Sequence, residues 1–178
     1  MDTVLPVEAL TVEPLTQAAF APFGDVVEAR DIPLVINQGR CYKYCDLTSV
    51  STDKDGHPSV HILKTSAISQ PYKLDLVERH PLGSQTFMPL EKQRFLVVVA
   101  ESTPTGEGSD GPDLNTLRCF LTNGSQGVTY RAGVWHHPLL SLDTPSDFLV
   151  LDRGGPGHNC DEVPIPEGVR YTVEAMGL

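Results

Sequence analysis

Six consecutive apolar residues, Phe95-Leu-Val-Val-Val-Ala100, constrain this chain more than anything else in it. The run is rich in β-branched side chains and leaves no polar face for solvent. It is far too short to span a bilayer. A run of this length and kind predicts a central β-strand covered on both sides.

The rest of the chain supplies neighbours for such a strand. Short alternating stretches recur at 8–13, 40–46, 59–67, 72–80, 117–121, 128–130, 134–142 and 148–151, and 169–173 adds an edge strand. Turn residues separate them. Thr122-Asn-Gly124 is a hairpin-type turn, 52–58 is a polar turn, and the Gly-, Ser- and Asp-rich stretch 101–112 is the longest and most mobile loop. One brief helix is expected over 15–21, with Thr16 as its cap and Pro22 discouraging its continuation. Many short strands with no strand–helix alternation predict an all-β barrel or sandwich with a few short helices. Residues 1–178 form one domain on this reading.

Charge narrows the partners. Thirteen Lys and Arg stand against 23 Asp and Glu, a formal net charge of -10. That balance argues against nucleic acid, which needs clustered cations, and against an anionic membrane surface. The first residues, Met1-Asp-Thr-Val-Leu-Pro, lack the basic and apolar segments of a signal peptide. Cys41 and Cys45 have no second pair to complete a zinc site, and all four cysteines read as reduced thiols of a cytoplasmic protein.

Two polar clusters are candidates for chemistry. In the stretch 72–80, Leu74, Leu76, Glu78 and His80 fall in phase on one strand face, so Glu78 and His80 project side by side towards one ion or small ligand. Their bland alternative is an ion pair at a rim. His136 and His137 are adjacent and face opposite ways on a strand. His136, in phase with Val134, is a ligand or general acid/base, or else a hydrogen-bonded structural histidine. Gln85 adds a neutral donor and acceptor. Ser84 has no nucleophile context and is a substrate-binding candidate with Lys43. Arg153 presents a planar fork suited to a carboxylate, or else ties down the glycine-rich loop that follows it. His158 is a lid candidate on that loop, Asn37 carries low weight, and His57 and His61 have no chemical role on this reading.

These residues carry a resemblance. Gly127-x5-Gly133-x2-His136 resembles the second motif of the cupins, with Arg131 at the usual proline position, and Glu78-x-His80 with Gln85 resembles an altered first motif. Four longer strings are more specific: Glu78-Arg-His-Pro-Leu-Gly-Ser-Gln-Thr-Phe87, Thr122-Asn-Gly-x-Gln-Gly-Val128, Val134-Trp-His-His-Pro-Leu139 and Asp147-Phe-Leu-x-x-Asp-Arg-Gly-Gly155. Together they resemble the bacterial ureidoglycolate lyases over nearly the whole chain. That resemblance implies a cupin-like β-barrel (a double-stranded β-helix), a homodimer, and release of urea and glyoxylate from ureidoglycolate in allantoin breakdown.

Cleaving that substrate requires a base for its hydroxyl, an acid or metal for the departing urea nitrogen, and a donor for its carboxylate. Glu78, His80 and His136, with Gln85 beside them, are expected at the centre as a metal-free acid/base set or as ligands to Ni²⁺, Zn²⁺ or Mn²⁺. Arg153 is the expected carboxylate clamp. The other readings are an amidohydrolase releasing ammonia from the same substrate and a non-catalytic small-molecule-binding module.

Overall fold

A computed structural model describes residues 7–104 and 110–175. The expectations for residues 1–6, and for 105–109 in the middle of the long loop, fall outside it. In chain order the elements are β1 (Val7–Ala9), β2 (Val12–Pro14), α1 (Gln17–Phe20), β3 (Gly24–Val27), β4 (Leu34–Ile36), β5 (Cys41–Lys43), β6 (His57–Thr65), β7 (Tyr72–Lys73) and β8 (Leu76–Arg79). There follow β9 (Gln85–Pro89), β10 (Phe95–Ser102), β11 (Pro112–Leu121), β12 (Gly127–Tyr130), β13 (Trp135–His136), β14 (Leu140–Ser141), β15 (Ser146–Gly154), β16 (Asp161–Pro164) and β17 (Arg170–Val173).

The protein is all-β, as expected. A seven-stranded sheet runs β16-β8-β13-β10-β11-β2, with β14 also paired to β10. A five-stranded sheet runs β3-β12-β9-β15-β6, and a three-stranded sheet runs β1-β17-β7. The apolar run explains why they stack. Phe95, Val97 and Val99 of β10 face one way and pack with Phe87, Val128, Phe148 and Val150 of the five-stranded sheet. Leu96 and Val98 face the other way and pack with Leu74, Tyr171 and Val173 around the three-stranded sheet. Each such side chain contributes about 1.5–3 kcal/mol when fully withdrawn from water. The central strand is thus filled on both faces.

Several boundaries differ from the sequence expectation, each for a local reason. The stretch 72–80 is two strands in two sheets, and Leu74 and Val77 are both fully buried. The chain changes partners between them: Leu74 N donates to the Tyr171 carbonyl at 2.9 Å, and Ile165 N donates to the Asp75 carbonyl at 2.8 Å. Leu74 and Glu78 therefore do not share a face. Pro138 lies where 134–142 divides into β13 and β14, since it has no N–H for a ladder. The 8–13 stretch likewise divides, β1 and β2 joining different sheets. β17 lies between β1 and β7 rather than at an edge. Strand β6 begins at His57, inside the expected turn, and β10 and β11 stay paired out to Ser102 and Pro112, which shortens the expected loop.

Among the described residues α1 is the single helix, where a few were expected; the Thr16 hydroxyl caps it by accepting from Ala19 N at 3.2 Å. No described helix is long and apolar enough to cross a membrane.

Candidate active site

The register of the seven-stranded sheet assembles one row of side chains. Val99 of β10 lies opposite His136 of β13, and His136 lies opposite Glu78 of β8. Val99 belongs to the core between the two large sheets, so its cross-strand neighbours face that space too. Trp135, one residue earlier, faces away and packs with Val77 and Ala100. His137 also faces away, with Nε2 2.9 Å from Asp75 Oδ1. The two adjacent histidines therefore part as strand alternation requires. Gly133 fixes the approach to β13: its N–H donates to the His80 carbonyl at 2.8 Å, and its φ of 79° lies where side-chain-bearing residues are strained. The turn before His136 is thereby pinned to the end of the strand that carries Glu78.

The three groups converge tightly. Glu78 Oε1 lies 3.6 Å from His80 Nε2 and 3.5 Å from His136 Nε2. The outward nitrogens are committed: His80 Nδ1 lies 2.7 Å from the Asn159 carbonyl and His136 Nδ1 lies 2.9 Å from the Val134 carbonyl. A carbonyl only accepts, so each Nδ1 carries a proton and, in a neutral ring, each Nε2 presents a lone pair inward. Both Nε2 atoms are buried without a hydrogen-bond partner. A carboxylate oxygen and two nitrogen lone pairs aimed at one point repel one another unless a cation stands among them.

Protonation supplies one such cation. Burial opposes the charge on Glu78, but the imidazoles of His136 and His80 outweigh it and bring the carboxyl down to about 2. Burial also opposes a charge on His80, yet the facing Glu78 carboxylate and the Asn159 carbonyl outweigh it and raise its pKa above the ordinary imidazole value. A divalent ion would serve equally. The ligand atoms of Glu78, His80 and His136 lie within 4.8 Å of one another, and both rings are oriented through their distal nitrogens. An O, N, N set of three leaves positions open for a substrate.

Other groups form the walls. The Tyr130 ring stacks on His136 at 4.0 Å between centroids. Gln85 lies opposite Tyr130, and its Oε1 is buried without a partner. Cys160 Sγ lies 4.0 Å from the second Glu78 oxygen. Burial, then the carboxylates of Glu78, Glu162 and Asp161, push its pKa up, so it remains a thiol. All four cysteines are free.

The remaining expected residues lie outside the cluster. Ser84 Oγ accepts from Ser51 N at 2.8 Å and ties two loops together. Lys43 is exposed on a two-stranded ribbon formed with β4. His158 pairs with Asp161 at 2.9 Å, and Asn37 sits in the ribbon's turn with φ 52°.

Arg153 Nε donates to Asp53 at 2.8 Å and Nη1 donates to the Gly155 carbonyl at 3.0 Å. Its side chain lies between Gly56 and Gly83, where an added Cβ would come within 2.4 and 2.5 Å of it. Alternation along β15 turns Arg153 away from the face of Phe148 and Val150. The arrangement anchors the 53–56 loop through Nε and Nη1, while Nη2 is buried without a partner. Arg153→Ala is expected to lower stability by about 1–3 kcal/mol. A urea-denaturation midpoint that does not move would refute that role.

Sequence reasoning passed over four contributors. Asn159 and Tyr130 orient and wall the imidazoles, and only folded proximity reveals them. Asp152 lies in phase with Val150 on the inward face, and His61 Nε2 donates to its Oδ1 at 3.1 Å. The alternation of 148, 150 and 152 was the signal available for Asp152.

The sequence profile of the family described as ureidoglycolate lyase matches residues 7–173. A ureidoglycolate lyase of Burkholderia mallei (strain NCTC 10229) is 44% identical over 173 residues, covering 95% of this chain and 96% of that protein. One of Pseudomonas aeruginosa (strain LESB58) is 48% identical over 155 residues, covering 86% and 88%. One of Pseudomonas entomophila (strain L48) is 45% identical over 160 residues, covering 89% and 92%.

Proposed function

This chain belongs to the ureidoglycolate lyase family, and from that premise we propose that it cleaves ureidoglycolate to glyoxylate and urea at the Glu78, His80 and His136 cluster. The observation that carries the placement is the convergence of three ligand atoms with both inward nitrogens buried and unpaired.

The reaction breaks the bond between the carbinol carbon and the ureido nitrogen. The hydroxyl proton leaves as the carbonyl forms, and the bonding electron pair departs with nitrogen, which takes up a proton. His136 Nε2, with its lone pair inward, receives the hydroxyl proton. His80, whose proton affinity Glu78 raises, delivers a proton to the nitrogen. Glu78 stays ionised and stabilises whichever imidazole is charged. One proton enters and one leaves, so the cluster differs after turnover only by a proton relocated between two rings that face the same carboxylate. Glu78, His80 and His136 would also hold Ni²⁺, Zn²⁺ or Mn²⁺, and the ion would then supply the positive charge that His80 otherwise carries.

Elemental analysis coupled to a urea assay with and without chelator tests this choice. Full activity at sub-stoichiometric metal supports the proton-only form, and activity lost to chelator and restored by one ion supports the metal form. A protein releasing no urea in either state contradicts the proposal.

The pH dependence of metal uptake has a definite sign. His80 must shed its proton before its Nε2 can ligate. Zn²⁺ binding is therefore expected to release more protons per ion below the elevated His80 value than above it. Calorimetry in buffers of different ionisation enthalpy reads this directly, and proton release that does not vary with pH would contradict the assignment.

A homodimer fits the exposed apolar side chains of edge strand β6, where Val60 is 62% and Ile62 54% exposed. A cytoplasmic location fits the four free cysteines.

A further inference from the structure

We propose that Asp152, held by His61, together with Gln85 forms a subsite that accepts the N–H groups of the substrate's ureido end and so sets which way round the substrate binds. The inference rests on the reaction assigned above and adds a recognition element on the opposite sheet.

The register argues for it. On β12 and β9, Tyr130 lies opposite Gln85 and Val128 opposite Phe87. On β9 and β15, Phe87 lies opposite Val150 and Thr86 opposite Leu151. Continuing that antiparallel pairing by one step sets Asp152 across from Gln85, on the inward face shared by Phe148, Val150 and Tyr130. The row Tyr130, Gln85, Asp152 crosses three adjacent strands. It spans about 10 Å at the usual strand spacing, and Tyr130 at its near end stacks on His136. The Asp152 charge is close enough to help raise the pKa of His80, which agrees with the same placement.

The chemistry of the row is that of an acceptor. Gln85 Oε1 is buried and without a partner. Asp152 is a carboxylate held from one side by the His61 ring, which donates Nε2–H at 3.1 Å. Two acceptors on one wall match a group rich in N–H donors, and a urea moiety is such a group. A carboxylate on that wall also repels the substrate's own carboxylate, which is left to the cationic end beside His80. The site is thereby polarised along its length.

Substitution at an accessible side chain tests this without disturbing the core. Asp152→Asn and Asp152→Ala are compared with wild type for binding of ureidoacetate, which keeps the ureido and carboxylate groups but lacks the hydroxyl. Glyoxylate, which has no ureido group, is the reference ligand. Both variants are expected to weaken ureidoacetate about 10- to 100-fold, the usual loss for a hydrogen bond to a charged group, with glyoxylate binding within about twofold. Melting curves accompany each variant. Unchanged ureidoacetate binding, or an equal loss for both ligands in a variant that melts like wild type, overturns the subsite. Wild type that binds ureidoacetate but releases no urea from ureidoglycolate would instead overturn the reaction assignment and leave the subsite standing.

Discussion

His136→Ala is expected to lower kcat/KM for urea release by about 10²–10⁴-fold while the protein still unfolds cooperatively. The size follows from what the residue offers. His136 is 2% exposed, its Nδ1 is spent on the Val134 carbonyl, and its Nε2 has no other partner. Among the described residues only His80 presents another unpaired buried ring nitrogen to Glu78, and in the proposed reaction that nitrogen carries the proton delivered to the ureido nitrogen. Truncation also opens a cavity beneath the Tyr130 ring, and removing a buried side chain of this size costs roughly 2–4 kcal/mol. His136→Gln separates the two effects. It keeps most of the volume, so its denaturation midpoint should lie between those of the alanine variant and wild type, while its activity falls as far. A variant within about tenfold of wild type would remove His136 from the chemistry.

Glu78→Gln is expected to be still more damaging, about 10³-fold or worse, with little loss of fold. The amide keeps the shape but takes away the charge that holds two imidazoles together. His80 should then return towards an ordinary or lower pKa, because Glu78 is the main partner opposing its burial. The variant should also change acid stability in a definite direction. A carboxyl held down at about 2 contributes stability that is fully present above its unfolded value near 4.5 and is lost as pH falls from there towards 2. Glu78→Gln lacks that contribution, so its unfolding midpoint should depend less steeply on pH over that window. NMR titration of the His80 ring and acid unfolding curves check both statements. A near-normal rate would make Glu78 a rim residue.

Much of this was legible in the chain because strand alternation is a local rule. Phe95-Leu-Val-Val-Val-Ala100 announces a strand buried on both faces, and it is one. Glu78 with His80, and His136 apart from His137, follow from period-two geometry alone, and the fold brings the first two to the third. The failures lie where a strand stops obeying the rule. The stretch 72–80 departs from the expected phase at Leu74 because the chain leaves one sheet for another at Asp75, and nothing in the local pattern marks a change of partner. Arg153 reads from the sequence as a substrate clamp because an arginine beside glycines is chemically suggestive, and its loop-anchoring contacts are what the sequence hides. Its role depends on Asp53, a hundred residues away, and on two distant glycines that leave room for its stem. Asp152 sits one position earlier, in phase with the core, beside a more conspicuous cation. Asn159 was invisible because it acts on His80 through its backbone carbonyl, which no side-chain pattern encodes.

The most direct test quantifies every nitrogenous product from ureidoglycolate with wild type and Glu78→Gln at equal concentration. One urea and one glyoxylate per substrate consumed, no ammonia, and almost no turnover in the variant are the expected results. Ammonia in place of urea, or equal urea release by both proteins, would contradict a lyase centred on Glu78.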